Sequence, residues 1–277
     1  MKIEDFNGRV AVITGGAAGI GRALAQELKT LGASVAIVDL PGDTLDATAD
    51  ELGVDALACD VSDAAAVDAL AQAVVDRYGK VDLLFNNAGV GLQQSLYRIN
   101  PNDWNWVFDV NFRGVVHGIR SFLPHLSTNP EGAYVVNTAS LFSLYTGPGM
   151  AAYAASKYAV LAVTETLAKE VSVTGDRIGV TAFCPGPIDT TIYGSLGRRD
   201  PRYGAAPPAS DPGDPVRKAL APITGAQRMP ALEAARIAIA AVKAGRFWAI
   251  THPEYTDAVE PEHAALRAEI DRQRTRL

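Results

Sequence analysis

Cysteine is nearly absent from this chain: two residues, Cys59 and Cys184, among 277. Each ends a β-rich apolar run, DALACD and GVTAFCPG, and both read as buried strand thiols kept reduced. Histidine is scarce too. His117, His125, His252 and His263 show no ligand spacing, so a protein-bound metal is not expected. No apolar run approaches the roughly 18 residues of a membrane span. The N-terminal MKIEDFNGRV lacks the apolar stretch of a signal peptide. Basic tracts are missing as well, and the net charge is −6. An acidic surface repels phosphate backbones, which argues against nucleic-acid binding. These absences leave a cytoplasmic protein, with neither membrane nor nucleic-acid partner, as the expectation.

What is abundant is apolar residues, 48% of the chain, enough for a large core. Short β-branched runs alternate with longer helical patterns. RVAVIT (9–14), SVAIVD (34–39), DALACD (55–60), VDLLFNN (81–87), AYVVNTAS (133–140), RIGVTAFCPG (177–186) and RFWAIT (246–251) read as strands. Helical spacing fills the intervals, including one long helix predicted over 102–126 and another over 151–173. The strands are continuous apolar runs with little alternation, as expected of strands covered on both faces of a parallel sheet. The expectation is an α/β fold: a single domain over 1–277, doubly wound and Rossmann-type, with about seven parallel strands and helices on both faces. Two segments break the rhythm. Residues 187–229 are rich in Pro, Gly and Ala, and a loop this long inside a domain suggests a lid over a substrate. The tail, 252–277, ends in the charged run AALRAEIDRQRTRL, which suits a solvated surface helix, an oligomer contact or a cover over the site.

The first strand runs into TGGAAGIG, Thr14 to Gly21. Gly15 permits a tight turn, and Gly19, Ile20 and Gly21 open a helix whose free N–H groups can face a pyrophosphate. Asp39 ends the second strand, 18 residues past Gly21. A carboxylate there can accept both hydroxyls of an adenosine ribose. No basic residue follows Asp39 to neutralise a 2′-phosphate, so NAD is expected over NADP. Asp60 and Val61 end the third strand, where an adenine could be held. NNAG (86–89), with Asn87 and Gly89, ends the fourth. All lie at carboxyl ends of strands, the edge where open α/β sheets bind ligands.

Tyr153 and Lys157 stand four apart in YAASK, on one face of a helix. A nearby cation lowers a phenol's pKa from near 10 toward working pH. Such a Tyr can take a proton from an alcohol or give one to a carbonyl. Ser140 ends the fifth strand, 13 residues earlier, and either holds the substrate oxygen or merely caps a turn. Asn111, in VNFRG, is a polar amide within an apolar helix; it needs a buried partner and could hold a proton-relaying water.

Taken together, TGGAAGIG, Asp39, Asp60-Val61, NNAG, Asn111, Ser140, YAASK and PGPIDT resemble the short-chain dehydrogenase/reductase family in order and spacing, over about residues 8–251. The resemblance implies Asn111, Ser140, Tyr153 and Lys157 as a catalytic tetrad, with Lys157 also on the nicotinamide ribose. It implies that Pro185, Gly186 and Ile188 to Thr190 line the nicotinamide side. It further implies a homodimer or homotetramer built on the two long helices. The expected activity is hydride transfer between NAD(H) and a secondary alcohol or ketone. Phe142, Tyr145, Ile192 and Tyr193, with Ser140 and Tyr153, are the expected substrate contacts. None of the residues expected around the pocket is charged, which points to a bulky, apolar aromatic or alicyclic small molecule. A weaker resemblance, to bacterial Cα-dehydrogenases of lignin-derived aryl ethers, favours a benzylic alcohol. The competing readings are a 3-hydroxyacyl or sugar alcohol dehydrogenase and a non-catalytic NAD(H)-binding regulator; regulators of this kind typically lack the Tyr/Lys pair.

Overall fold

The computed structural model describes residues 1–208, 214–224 and 227–274. Strands β1 (Val10–Thr14), β2 (Ser34–Asp39), β3 (Asp55–Ala58), β4 (Leu83–Asn86), β5 (Ala133–Thr138), β6 (Ile178–Cys184) and β7 (Trp248–Ile250) form one sheet in the order β3-β2-β1-β4-β5-β6-β7. Every pairing is parallel. β1, β4, β5 and β6 are buried at every position, which is why they read as unbroken apolar runs. The chain moves outward from β1 to β3 and then returns to pair β4 with β1. That reversal opens a crevice beyond the carboxyl ends of β1 and β4.

The helices are α1 (Gly19–Thr30), α2 (Asp43–Leu52), α3 (Ala64–Tyr78), α4 (Pro101–Phe108), α5 (Gly114–Ser127), α6 (Ala151–Thr174), α7 (Pro215–Thr224), α8 (Ala231–Ala244) and α9 (Glu260–Arg274). Those that pack on the sheet divide between its two faces. On one, Leu24 and Leu28 of α1 and Ala238 and Val242 of α8 pack with Ile13, Ile37 and Phe85. On the other, Val74, Phe122 and Leu167, from α3, α5 and α6, pack with Val12, Val38 and Leu84. Neighbouring strand residues such as Val12 and Ile13 thus enter opposite cores, the period-2 geometry of a strand. Among the described residues no helix is long and apolar enough to cross a membrane.

The helix predicted over 102–126 is interrupted. It starts at a capping box, Asn100 with Asp103, and has Pro101 in its first turn. A π-helical turn, Asp109–Arg113, then separates α4 from α5. The amide of Asn111 bonds outside its own helix, to Val90 and Ser156, and the widened turn accommodates that placement. A 3.6-residue apolar pattern does not register one extra residue, so the sequence reads as a single helix.

Segment 187–229 also holds more structure than a loop. It contains 3-10 turns at Ile192–Arg198 and Pro201–Tyr203, and α7. Arg199 pairs with Asp103 of α4, and the Tyr203 hydroxyl donates to Asp109. In the tail, the described residues of α9 are exposed, Leu266 and Ile270 included. Just ahead of it, Tyr255 and Val259 pack against the cluster that holds Phe142 and Tyr145.

Candidate active site

The glycine turn after β1 is a cradle with no room for side chains. Gly15 has φ +66°, and a Cβ there would lie 2.8 Å from Ala88 Cα. A Cβ on Gly21 would lie 2.0 Å from the Gly15 carbonyl oxygen. Turn, helix start and the end of β4 therefore touch backbone to backbone. Ala18, the N-cap of α1, supplies no side-chain cap, so the first-turn N–H groups face the crevice. This is the shape and polarity that a dinucleotide pyrophosphate requires.

The crevice is a cleft of about 410 Å³. Gly15, Gly19, Ile20, Asp39, Asp60 and Val61 line it from the β1–β3 half of the sheet. Asn87, Gly89, Tyr153, Lys157, Pro185 and Thr190 line it from the other half. Gly21 stands behind the turn rather than on the cleft wall. Gly186 and Ile188, expected beside the nicotinamide, line a second, apolar slot, which shares Ile20, Tyr153, Pro185, Thr190 and Ile192 with the cleft. Asp39 is held by two backbone donors, Ala17 N–H at 3.1 Å and Leu40 N–H at 2.9 Å. Asp60 accepts from Ser62 and from Arg202, the latter at 2.9 Å. Burial raises the Asp60 pKa, but the Ser62 and Arg202 contacts outweigh it and hold the carboxyl below the usual range.

Lys157 lies under this cleft, 2% exposed. Its ammonium donates to Thr138 O at 2.7 Å and sits 5.8 Å from the Tyr153 ring centroid. Burial pulls its pKa down to about 8, with Cys184 opposing. Cys184 is itself pushed up to about 12, and Cys59 to about 11, both chiefly by burial. These are thiols, not thiolates, as expected of buried strand cysteines. Asn111 is fully buried. Its oxygen accepts from Val90 N–H at 2.7 Å; its nitrogen donates to Val90 O at 3.0 Å and to Ser156 Oγ at 3.1 Å. The amide clamps the chain just after Gly89 against α6. Ser140 Oγ accepts from Phe142 N–H at 3.1 Å and caps the 3-10 turn Leu141–Ser143. The same residue lines the apolar slot, so capping and substrate contact are compatible.

That slot holds about 80 Å³ and is walled by Ser140, Phe142, Tyr145, Met150, Ile188 and Ile192. Tyr153 borders both slot and cleft, and its ring meets Phe142 edge to face at 6.2 Å. The slot is far below the roughly 300–1,000 Å³ of drug-sized sites. The Tyr193 side chain lies outside the described residues. Two features escaped the sequence reading. One is the cationic run GRRDPRY, whose Arg199, Arg202 and Tyr203 line the cleft. Its clustered arginines within a Pro/Gly-rich stretch were the available signal. The other is Arg228, which lines the slot and overturns the expectation that nothing there is charged. No local pattern marks it.

A glycine cradle for a dinucleotide, a carboxylate at the end of β2, and a Tyr over a buried Lys define a nicotinamide-dependent oxidoreductase. A family model for short chain dehydrogenases matches residues 9–200, and the chain belongs to the short-chain dehydrogenase/reductase family. A short-chain dehydrogenase/reductase from Burkholderia phymatum, solved in complex with NAD, is 36% identical with a TM-score of 0.91; the match covers 96% of this chain and 97% of that one. A protein of Mycobacterium tuberculosis named putative oxidoreductase SadH is 40% identical over 69% of this chain and 70% of its own. The 1-deoxy-11-beta-hydroxypentalenate dehydrogenase of Streptomyces avermitilis is 38% identical over 67% of this chain and 71% of its own.

Proposed function

We propose that the chain interconverts a secondary alcohol and its ketone with NAD(H), using Tyr153 as acid/base, on an apolar aromatic or alicyclic substrate. One observation carries this reading: Tyr153 stands on the border between dinucleotide cleft and apolar slot, with buried Lys157 behind it. Bound NAD supplies the hydride acceptor. Tyr153 Oη takes the hydroxyl proton as the carbinol C–H bond breaks. The Lys157 ammonium favours the ionised phenol and holds the cofactor ribose. Ser140 Oγ fixes the substrate oxygen where charge develops. Asn111 acts on the backbone at Val90 and thereby keeps Gly89 open to the cofactor. Asp39 selects NAD over NADP by repelling a 2′-phosphate. The NAD complex of the Burkholderia relative supports the cofactor choice. The dehydrogenase named for hydroxypentalenate supports an alcohol substrate. We further infer a homo-oligomer; Tyr158 and Val173 leave apolar surface open on α6.

The test is Tyr153→Phe, assayed with 1-aryl alkanols, cyclic alcohols, sugars and 3-hydroxyacyl thioesters. Turnover should fall by roughly 10²–10⁴-fold while NADH binding stays near wild type. Retention of more than about a tenth of kcat would remove the acid/base assignment. A tenfold preference for sugars or acyl thioesters would remove the apolar one.

A further inference from the structure

We propose that the substrate's apolar body carries a carboxylate, and that Arg228 receives it at the mouth of the slot. This rests on the reading of the slot as the place where an apolar alcohol is oxidised. Of the described residues that line the slot, Arg228 alone carries a formal charge. Its place is built into the fold. Met229 N–H donates to Pro187 O at 2.9 Å, and Asp189 N–H donates to Met229 O at 2.9 Å. Ile188 and Met229 thereby form a parallel bridge. The bridge holds residue 228 one position from the chain that forms the slot wall at Gly186 to Ile188. Pro187 and Pro230 limit backbone freedom on both sides.

Tyr153 lines both slot and cofactor cleft, whereas Arg228 lines the slot alone and is exposed. A substrate placed with its carbinol at Tyr153 and its apolar body against Phe142, Tyr145 and Met150 shares the slot with this guanidinium. A planar five-donor fork matches a carboxylate in two parallel hydrogen bonds, which neither an ester nor an alkyl group offers. The chain as a whole carries −6, so overall charge gives an anion no advantage. The attraction is local to Arg228. The carboxylate is unchanged by the reaction: the carbinol C–H electron pair leaves as hydride to NAD, the O–H proton goes to Tyr153, and a keto acid is released.

The experiment compares aryl and alicyclic hydroxy acids with their methyl esters, the acid group set progressively further from the carbinol. The proteins are wild type, Arg228→Met and Arg228→Lys, with NADH affinity as the check on folding. In wild type, at least one acid should exceed its ester in kcat/KM by about tenfold, through KM, and added salt should shrink the gap. Arg228→Met should abolish that preference by lowering kcat/KM for the acid about tenfold more than for its ester; Arg228→Lys should retain part of it. The carboxylate proposal is overturned if no acid outruns its ester, or if Arg228→Met slows acid and ester alike. If acids and esters are both inert while sugars or acyl thioesters react, the apolar-alcohol reading itself fails, which is a different result.

Discussion

Replacing Arg199 by methionine tests what holds segment 192–203 over the cofactor cleft. The Arg199 side chain is 2% exposed and pairs at 2.7 Å with Asp103, which is fully buried. Arg199 also donates to Tyr203 O at 2.6 Å, and its guanidinium lies 5.3 Å from the Trp106 centroid. Methionine keeps much of the stem's packing and removes the charge. Asp103 is then left in the interior with the Asn100 N–H, at 3.0 Å, as its remaining partner among these. Removing one member of a buried pair costs about 3–5 kcal/mol. The lower end applies here. Asn100 still serves Asp103, and among the described residues Arg199 Nε is already buried without a partner. At about 2 °C per kcal/mol for a chain of this size, a loss of about 3 kcal/mol lowers Tm by about 6 °C. Adding Asp103→Asn removes the stranded charge and keeps an acceptor for Asn100. The double variant should therefore be at least about 1 kcal/mol more stable than the two single effects sum to. Thermal and urea denaturation of the four proteins measure this, and additivity within about 0.5 kcal/mol refutes the pair as a latch. NADH dissociation, followed by stopped flow, should also quicken severalfold in Arg199→Met, because the latched segment lines the cleft.

Three further outcomes are expected. Asp39→Ala should narrow the NAD over NADP preference: a carboxylate about 4 Å from a 2′-phosphate is worth about 4 kcal/mol per charge pair at an effective dielectric near 20. Screening leaves about 2–3 kcal/mol, or roughly 30- to 150-fold in kcat/KM, and equal use of both cofactors by wild type refutes the assignment. Gly21→Ala places a methyl 2.0 Å from the Gly15 oxygen, so NADH affinity should drop and stability fall by about 1–3 kcal/mol; wild-type NADH affinity by titration contradicts the cradle. Lys157→Met should be more favourable relative to wild type below about pH 8 than above 10.5, by about 3 kcal/mol, because Lys157 has its pKa lowered from 10.5 to about 8 on folding. The folded state binds fewer protons between those values, so wild-type stability recovers as pH rises from about 8 toward 10.5 and the variant's advantage shrinks. Urea denaturation of both proteins at each end of that window decides it; a constant difference refutes the shift.

The sheet and much of the lining of the larger cleft were legible in the sequence because local rules encode them. Strands covered on both faces must be apolar throughout, and the end of β1 must be glycine where it meets Ala88. The order of the strands then brings Gly15, Asp39, Asp60 and Asn87 to one edge. Tyr153 and Lys157 share a helix face and need no tertiary information to be paired. The π turn at Asp109–Arg113 was not legible, because it answers to Val90 and Ser156, which come from other elements.

The apolar slot was legible in part, at Ser140, Phe142, Tyr145, Tyr153 and Ile192, and the rest escaped for a related physical reason. The described residues of segment 187–229 contribute no strand to the sheet. Its attachments include one isolated bridge at Ile188 and Met229 and polar contacts of long sequence separation, Arg199 to Asp103 and Arg202 to Asp60. Such pairs have no period and no motif, so their partners cannot be read from spacing. Yet they set where Ile192 and Arg228 stand, and hence the width and polarity of the slot. Strand order fixes the cofactor edge whatever the insert does. Substitutions at these attachments should therefore change which alcohol is accepted while leaving the glycine cradle, Asp39 and the Tyr153–Lys157 pair as they are.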